Sequence, residues 1–235
     1  MNYIQRLALV MTLALSPAAV LAGDTRIEKN KHYTLEATGC MILRECTEGV
    51  VEIKTAKDVG KYYTKYGMME PVRTEFNEMM AALGKIGVKV YIAPEYYFPA
   101  AHRGIYHTVS NNFYLNATLV KRYTTLMSVM RHEGWHAAQD CMAGSIKNSM
   151  IAIIHNEEDV PPLWREITEK SYSETPSAIP WEAEATWAGK TEGMTMKALK
   201  SCAAGTMWTD YKPTLLTKKW LVENGYLNND GKKLK

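Results

Sequence analysis

Residues 132–136 read His-Glu-Gly-Trp-His, two histidines four apart with a glutamate directly after the first. On an α-helix, positions four apart lie one above the other on one face. Two imidazoles at this spacing can therefore ligate one metal ion from the same side. Glu133 is rotated by about 100° from His132 and points beside such an ion. There a carboxylate can take a proton from a metal-activated water. The pattern is fairly specific: with 6 histidines in 235 residues, HExxH arises by chance in about one such sequence in a hundred. Its flanks, Gly134, Trp135, Ala137 and Ala138, are uncharged, as a buried active-site helix requires.

Two histidines do not complete a catalytic zinc site, which ordinarily has three protein ligands and a water in tetrahedral array. A third histidine of the HExxHxxGxxH kind is absent, since Gln139 stands where that pattern has glycine. A downstream acidic residue is the other solution, and the stretch 181–188, WEAEATWA, supplies Glu182 and Glu184. The two lie about 200° apart on a helix, so only one can face the ion.

With these residues, about 129–188 of the chain resembles the gluzincin class of zinc metallopeptidases, in which HExxH on one helix is joined by a glutamate from a downstream helix. Aligning Ala185 with the alanine of the E-x-E-A-[DN] variant of that second motif puts the third ligand at Glu182, ahead of Glu184. Thr186 then stands where Asp or Asn is usual. That residue normally hydrogen-bonds the first histidine and fixes its ring. Thr186, Glu184 or Asp140 are the residues here that could take over the task. The resemblance implies one catalytic Zn2+ held by His132, His136 and Glu182, with Glu133 as general base and a peptide or protein as substrate. It also implies an edge strand above the metal along which an extended substrate adds. The segment 110–116, SNNFYLN, precedes the motif helix at a suitable distance, and Asn111 or Asn112 could bind the substrate main chain there. An oxyanion-stabilising Tyr or His is expected near the metal; His107, His155 and Tyr172 are the candidates.

These residues need a scaffold. The motif lies in a predicted helix over 122–142, whose Leu126, Met130, Ala137 and Cys141 share a broad face. Upstream, 71–83 opens on proline and carries Val72, Phe76, Met79, Met80 and Leu83 at helical spacing. Residues 88–93, VKVYIA, alternate as a strand, with Val88, Val90 and Ile92 on one face. Residues 50–53 suit a short strand within an otherwise irregular N-terminal part. Residues 104–108 and 112–116 suit a hairpin or an extended edge segment. Pro161, Pro162, Pro176 and Pro180 mark a loop-rich stretch. A second helical segment is expected from near Pro180 towards Cys202, with an amphipathic piece near 215–222. The order predicts an α+β fold, zincin-like: a small twisted sheet half with the active-site helix and a mainly helical C-terminal half.

Composition sets the outer limits. With 46% hydrophobic and 23% charged residues, the chain is not disordered, fibrous or a polytopic membrane protein. Twenty-eight basic against 25 acidic side chains give no case for a nucleic-acid partner. Residues 1–22 have the layout of a secretory signal peptide: Arg6, an apolar run from Leu7 to about Leu21, then Val20 and Ala22 at a small-residue cleavage site. Residues 23–235 would then be a single secreted or periplasmic domain with no stable membrane insertion. Export makes two disulfides the default for Cys40, Cys46, Cys141 and Cys202. Of three pairings, Cys40 with Cys46 and Cys141 with Cys202 is favoured. The first closes a small loop; the second ties distant segments, where chain-entropy stabilisation is larger. Two other functions fit the same residues. One is a disulfide-stapled secreted binding protein with a structural or vestigial metal site. The other is a zinc amidase acting on cell-wall crosslinks.

Overall fold

The computed structural model describes residues 35–62, 68–99, 102–118 and 122–234; the expected signal segment 1–22 lies outside them. Helix α1 (Leu35–Ile42), strand β1 (Val51–Ile53), the short α2 (Ala56–Val59) and α3 (Glu70–Lys85) come first. Strands β2 (Lys89–Ala93), β3 (Gly104–His107) and β4 (Asn112–Asn116) follow, and then the motif helix α4 (Tyr123–Met142). The remainder is helical: α5 (Pro162–Ser171), α6 (Ile179–Lys190), α7 (Met194–Ala204), α8 (Met207–Asp210) and α9 (Leu215–Glu223). The described chain is thus α+β, with its strands in the N-terminal half and helices dominating the C-terminal half.

The four strands form one sheet in the order β1-β2-β4-β3. β2 runs parallel to β4, while β1–β2 and β3–β4 are antiparallel. Side chains alternate between the faces with the strand period of two. Ile53, Val90, Ile92, Tyr106, Phe113 and Leu115 bury one face against Phe76 and Met79 of α3 and Leu126 and Met130 of α4. Tyr91, Ala93 and Tyr114 bury the other beneath Ala37 and Met41 of α1, with Tyr97 and Phe98. Val88, Val90 and Ile92 do share the helix-side core, as their alternation predicts.

α4 is the hub, packing on α3, α6, α7 and β3. Arg131 anchors it to α3 with two hydrogen bonds to Glu75, at 2.7 Å (Nε–Oε1) and 2.6 Å (Nη2–Oε2). Both side chains are largely buried, so removing one leaves the other charge poorly solvated. Glu75→Ala should therefore cost about 2 kcal/mol, read from urea unfolding. Both expected disulfides are present. Cys40–Cys46 fastens the end of α1, and Cys141–Cys202 ties α4 to α7 across 61 residues. They fit an oxidising compartment. Among the described residues no helix is long and apolar enough to cross a membrane.

Three expectations need correction. The stretch after Pro161 is not all loop, since α5 begins at Pro162. Proline is at home in a first helical turn, where its missing N–H would have no partner anyway. The helix expected from Pro180 to Cys202 is two helices. Gly193 takes a left-handed φ of 78° that a continuous right-handed helix cannot contain. Finally, the N-terminal part is not irregular throughout: α1 seats Ala37 and Met41, four apart, on the sheet.

Candidate metal centre

α4 and α6 cross closely enough to bring their functional faces together. A Cβ on Gly189 of α6 would meet the Ser128 carbonyl oxygen at 3.0 Å and His132 Cβ at 3.3 Å, so glycine permits this approach. His132, His136 and Glu182 then converge, with their candidate ligand atoms all within 4.8 Å of one another. Glu182 Oε2 stands 3.2 Å from His132 Nε2, and Oε1 stands 3.5 Å from His136 Nε2. The two rings are 4.9 Å apart and nearly perpendicular. With metal–ligand bonds of about 2.0–2.1 Å, tetrahedral neighbours stand about 3.3–3.4 Å apart, so the spacing suits a single ion.

The electrostatics agree. Burial alone would raise the Glu182 carboxyl, yet His136 and His132 against it hold it well below the usual carboxylate range. Burial would lower His136, but Glu182 outweighs it and pushes the imidazole up to about 9. Glu182 Oε2 is buried, and its approach to His132 lacks hydrogen-bond alignment, which leaves an acceptor aimed into the group. Three donors of this kind, two imidazoles and one carboxylate, form a set that could hold a metal ion.

The orientation of His136 is fixed from behind. Its Nδ1 lies 2.8 Å from Gln139 Oε1. The Gln139 amide is itself oriented, because its Nε2 donates to Glu184 Oε2 at 2.7 Å and to the Trp181 carbonyl at 3.2 Å. Its oxygen must then face His136, so Nδ1 carries the proton and donates. In the neutral ring the lone pair is then on Nε2, the side facing Glu182 and His132, where a metal ion would take it; without a metal, Nε2 is where the ring gains the proton that Glu182 favours. Glu184 is thus not a ligand but the root of this relay. Fully buried, it accepts from Trp135 Nε1, Gln139 Nε2, the Ile154 N–H at 3.0 Å and the His155 N–H. Burial lifts its carboxyl to about 7 even against those donors. Outer partners of this sort tune metal affinity by about 10–100-fold. Gln139→Leu should weaken divalent-metal binding by that factor, measured by competition with a chromophoric chelator.

This relay serves His136, whereas the positioning task expected of Thr186, Glu184 or Asp140 concerns His132; Thr186 and Asp140 make different bonds. Thr186 Oγ1 is 3.3 Å from Thr168 Oγ1, between α6 and α5. Asp140 is fully buried and accepts from the Tyr106 hydroxyl at 2.8 Å. Burial pushes its carboxyl up to about 8, a shift the Tyr106 hydrogen bond opposes.

Glu133 is buried between the metal group and the sheet. Burial raises its carboxyl, while His132 and His136 pull the other way. It lies directly on the backbone of β3: a Cβ on Gly104 would come within 2.9 Å of both Glu133 Cγ and Oε1. The Tyr106 main-chain N–H also faces the carboxylate and favours its charged form.

Among the described residues β3 is an edge of the sheet; the segment 110–116, expected there, is not. Its residues 112–116 form β4, enclosed between β2 and β3. Asn112 is buried and its amide donates to Tyr114 Oη at 3.2 Å. Asn111 occupies the hairpin turn at φ 53°, with Oδ1 3.3 Å from the Tyr106 hydroxyl. Both asparagines are thus spent on the hairpin. Of the three residues considered for charge stabilisation, Tyr172 is beside the metal group; burial, with Glu182 next to it, pushes its phenol up. His107 closes the hairpin with Nδ1 2.7 Å from Ser110 Oγ. His155 stacks on Trp135 at 5.8 Å, flanked by Trp187 and Tyr211, and burial lowers its pKa.

The residues missed by sequence reasoning are Gln139, Gly104 and Tyr106. Gln139 carried a signal, being one helical turn beyond a ligand histidine; Gly104 and Tyr106 carried none. Comparison with protein-family models, curated proteins and solved structures found no match.

Proposed function

We propose that the protein is an exported zinc-dependent metallopeptidase of gluzincin type. One observation carries the reading: a buried carboxylate, Glu133, set against the edge strand β3 and beside a group that, among the described residues, has three members, His132, His136 and Glu182. A structural zinc site is ordinarily closed by four protein ligands and has no use for a base alongside. A zinc ion in this group would polarise a scissile carbonyl and lower the pKa of a water to about 7. Glu133 would accept that water's proton and pass it to the leaving amine. Burial and the neighbouring histidines act on its pKa in opposite senses, which suits a group that must both take up and release a proton. Tyr172, a neighbour of Glu182, would donate to the developing oxyanion.

The substrate would lie extended along the free side of β3. Arg103 accepts from the Asn116 N–H at 2.9 Å. Antiparallel bonding alternates, and in this register Gly104 and Tyr106 turn their main-chain groups away from β4. An added strand could bond to the Gly104 groups and the Tyr106 carbonyl, the Tyr106 N–H being turned to Glu133. The reading is tested by incubating the purified chain with a broad peptide library that also contains amide-linked cell-wall fragments. Cleavage should cease with a chelator and return with Zn2+. Cleavage of the fragments alone would move the substrate class to cell-wall amides, and chelator-insensitive cleavage or none would refute the proposal.

A further inference from the structure

Glu133 and Asp140 are seven residues apart on α4, two turns along one face. Both are buried. Tyr106 of β3 reaches both. Its main-chain N–H, on the side of the strand turned away from β4, faces the Glu133 carboxylate. Its hydroxyl donates to Asp140 Oδ2 at 2.8 Å. Next to it, Gly104 brings the β3 backbone into contact with the Glu133 side chain, leaving no room for a Cβ. A terminal edge strand is ordinarily free to fray, being bonded on one side only. Here a side chain of that strand is fastened to the motif helix.

We propose that Tyr106 and Asp140 form a brace that holds β3 against α4 and thereby positions Glu133. Asp140 touches neither the metal ligands' donor atoms nor the substrate path; it acts through Tyr106. The brace rests on the reading of Glu133 as general base for its catalytic consequence, but not for its structural one. Pinning β3 sets the distance between Glu133 and the strand on which the substrate would lie, and misplacement of that order is costly to rate.

The test uses the full chain with zinc and the variants Tyr106→Phe, Asp140→Ala and Asp140→Asn. The structural readout is hydrogen exchange of the residue 106 amide, followed by NMR. It should be slow in the wild type and at least tenfold faster in Tyr106→Phe and Asp140→Ala. The Phe113 and Leu115 amides of β4 should change less than twofold. Asp140→Asn, which keeps an acceptor for the phenol, should stay within threefold of the wild type. The kinetic readout is a fall in kcat of tenfold or more for Tyr106→Phe, with KM within twofold and one zinc per chain retained. An unchanged residue 106 amide in Tyr106→Phe overturns the brace. A fall in kcat accompanied by loss of zinc, or general acceleration of exchange across β4, would overturn it too. If the wild type shows no chelator-sensitive hydrolysis, the peptidase reading fails, and amide exchange still decides the brace.

Discussion

Glu133→Gln should leave one zinc bound per chain and reduce hydrolysis by about 10²–10⁴-fold, the range in which a positioned general acid–base residue contributes. The substitution is nearly isosteric and touches none of the three converging ligands. An amide oxygen can still accept from the Tyr106 N–H, so β3 should stay where it is. What is lost is the ability to take up a proton at one step and give it back at the next. Zinc content, measured beside the rate, separates this outcome from collapse of the site. Wild-type turnover in Glu133→Gln would remove Glu133 from the mechanism.

Glu182→Ala should weaken zinc binding by about 10²–10³-fold and abolish hydrolysis with it. Protein zinc sites of the structural kind bind with about 10–16 kcal/mol in total, so one ligand of several is worth about 3–4 kcal/mol, or two to three decades. The paired variant is informative because Glu184 is only two residues away. Glu184→Gln should act at one remove, through Gln139 and the His136 ring, with an affinity loss of about 10–100-fold. Removing the ligand should thus be the more damaging change. The reverse order would mean that Glu184, not Glu182, faces the metal.

The centre was largely legible because helix geometry is rigid. His132 and His136 share a face at any HExxH on a helix, and the roughly 200° between Glu182 and Glu184 sends the two carboxylates in different directions, so that one joins the histidines. The pairing Cys141–Cys202 was legible for a different reason: a crosslink between distant segments gains more in chain entropy. What was hidden depended on tertiary choice. Residues 104–116 read as a hairpin, but nothing in them tells which arm pairs with β2. The parallel β2–β4 pairing decided that, burying Asn112 and leaving β3 at the edge. Thr186 is turned to Thr168, and Gln139 with Glu184 orients the second histidine, His136, and not the first. A glutamine's role is set by what its amide meets, and the meeting partner lies 45 residues away. Prolines at 161 and 162 looked like loop and instead began α5. The same residue type reads as a break or a start, depending on whether apolar packing follows.

His132, His136 and Glu182 should together hold one zinc ion. The most direct measurement is zinc stoichiometry of the purified full chain after equilibration with Zn2+ and desalting, read beside His136→Ala and Glu182→Ala. About one zinc is expected per wild-type chain, with a stoichiometry near zero in both variants. Wild-type protein that emerges without zinc, or variants that retain as much as the wild type, would contradict it.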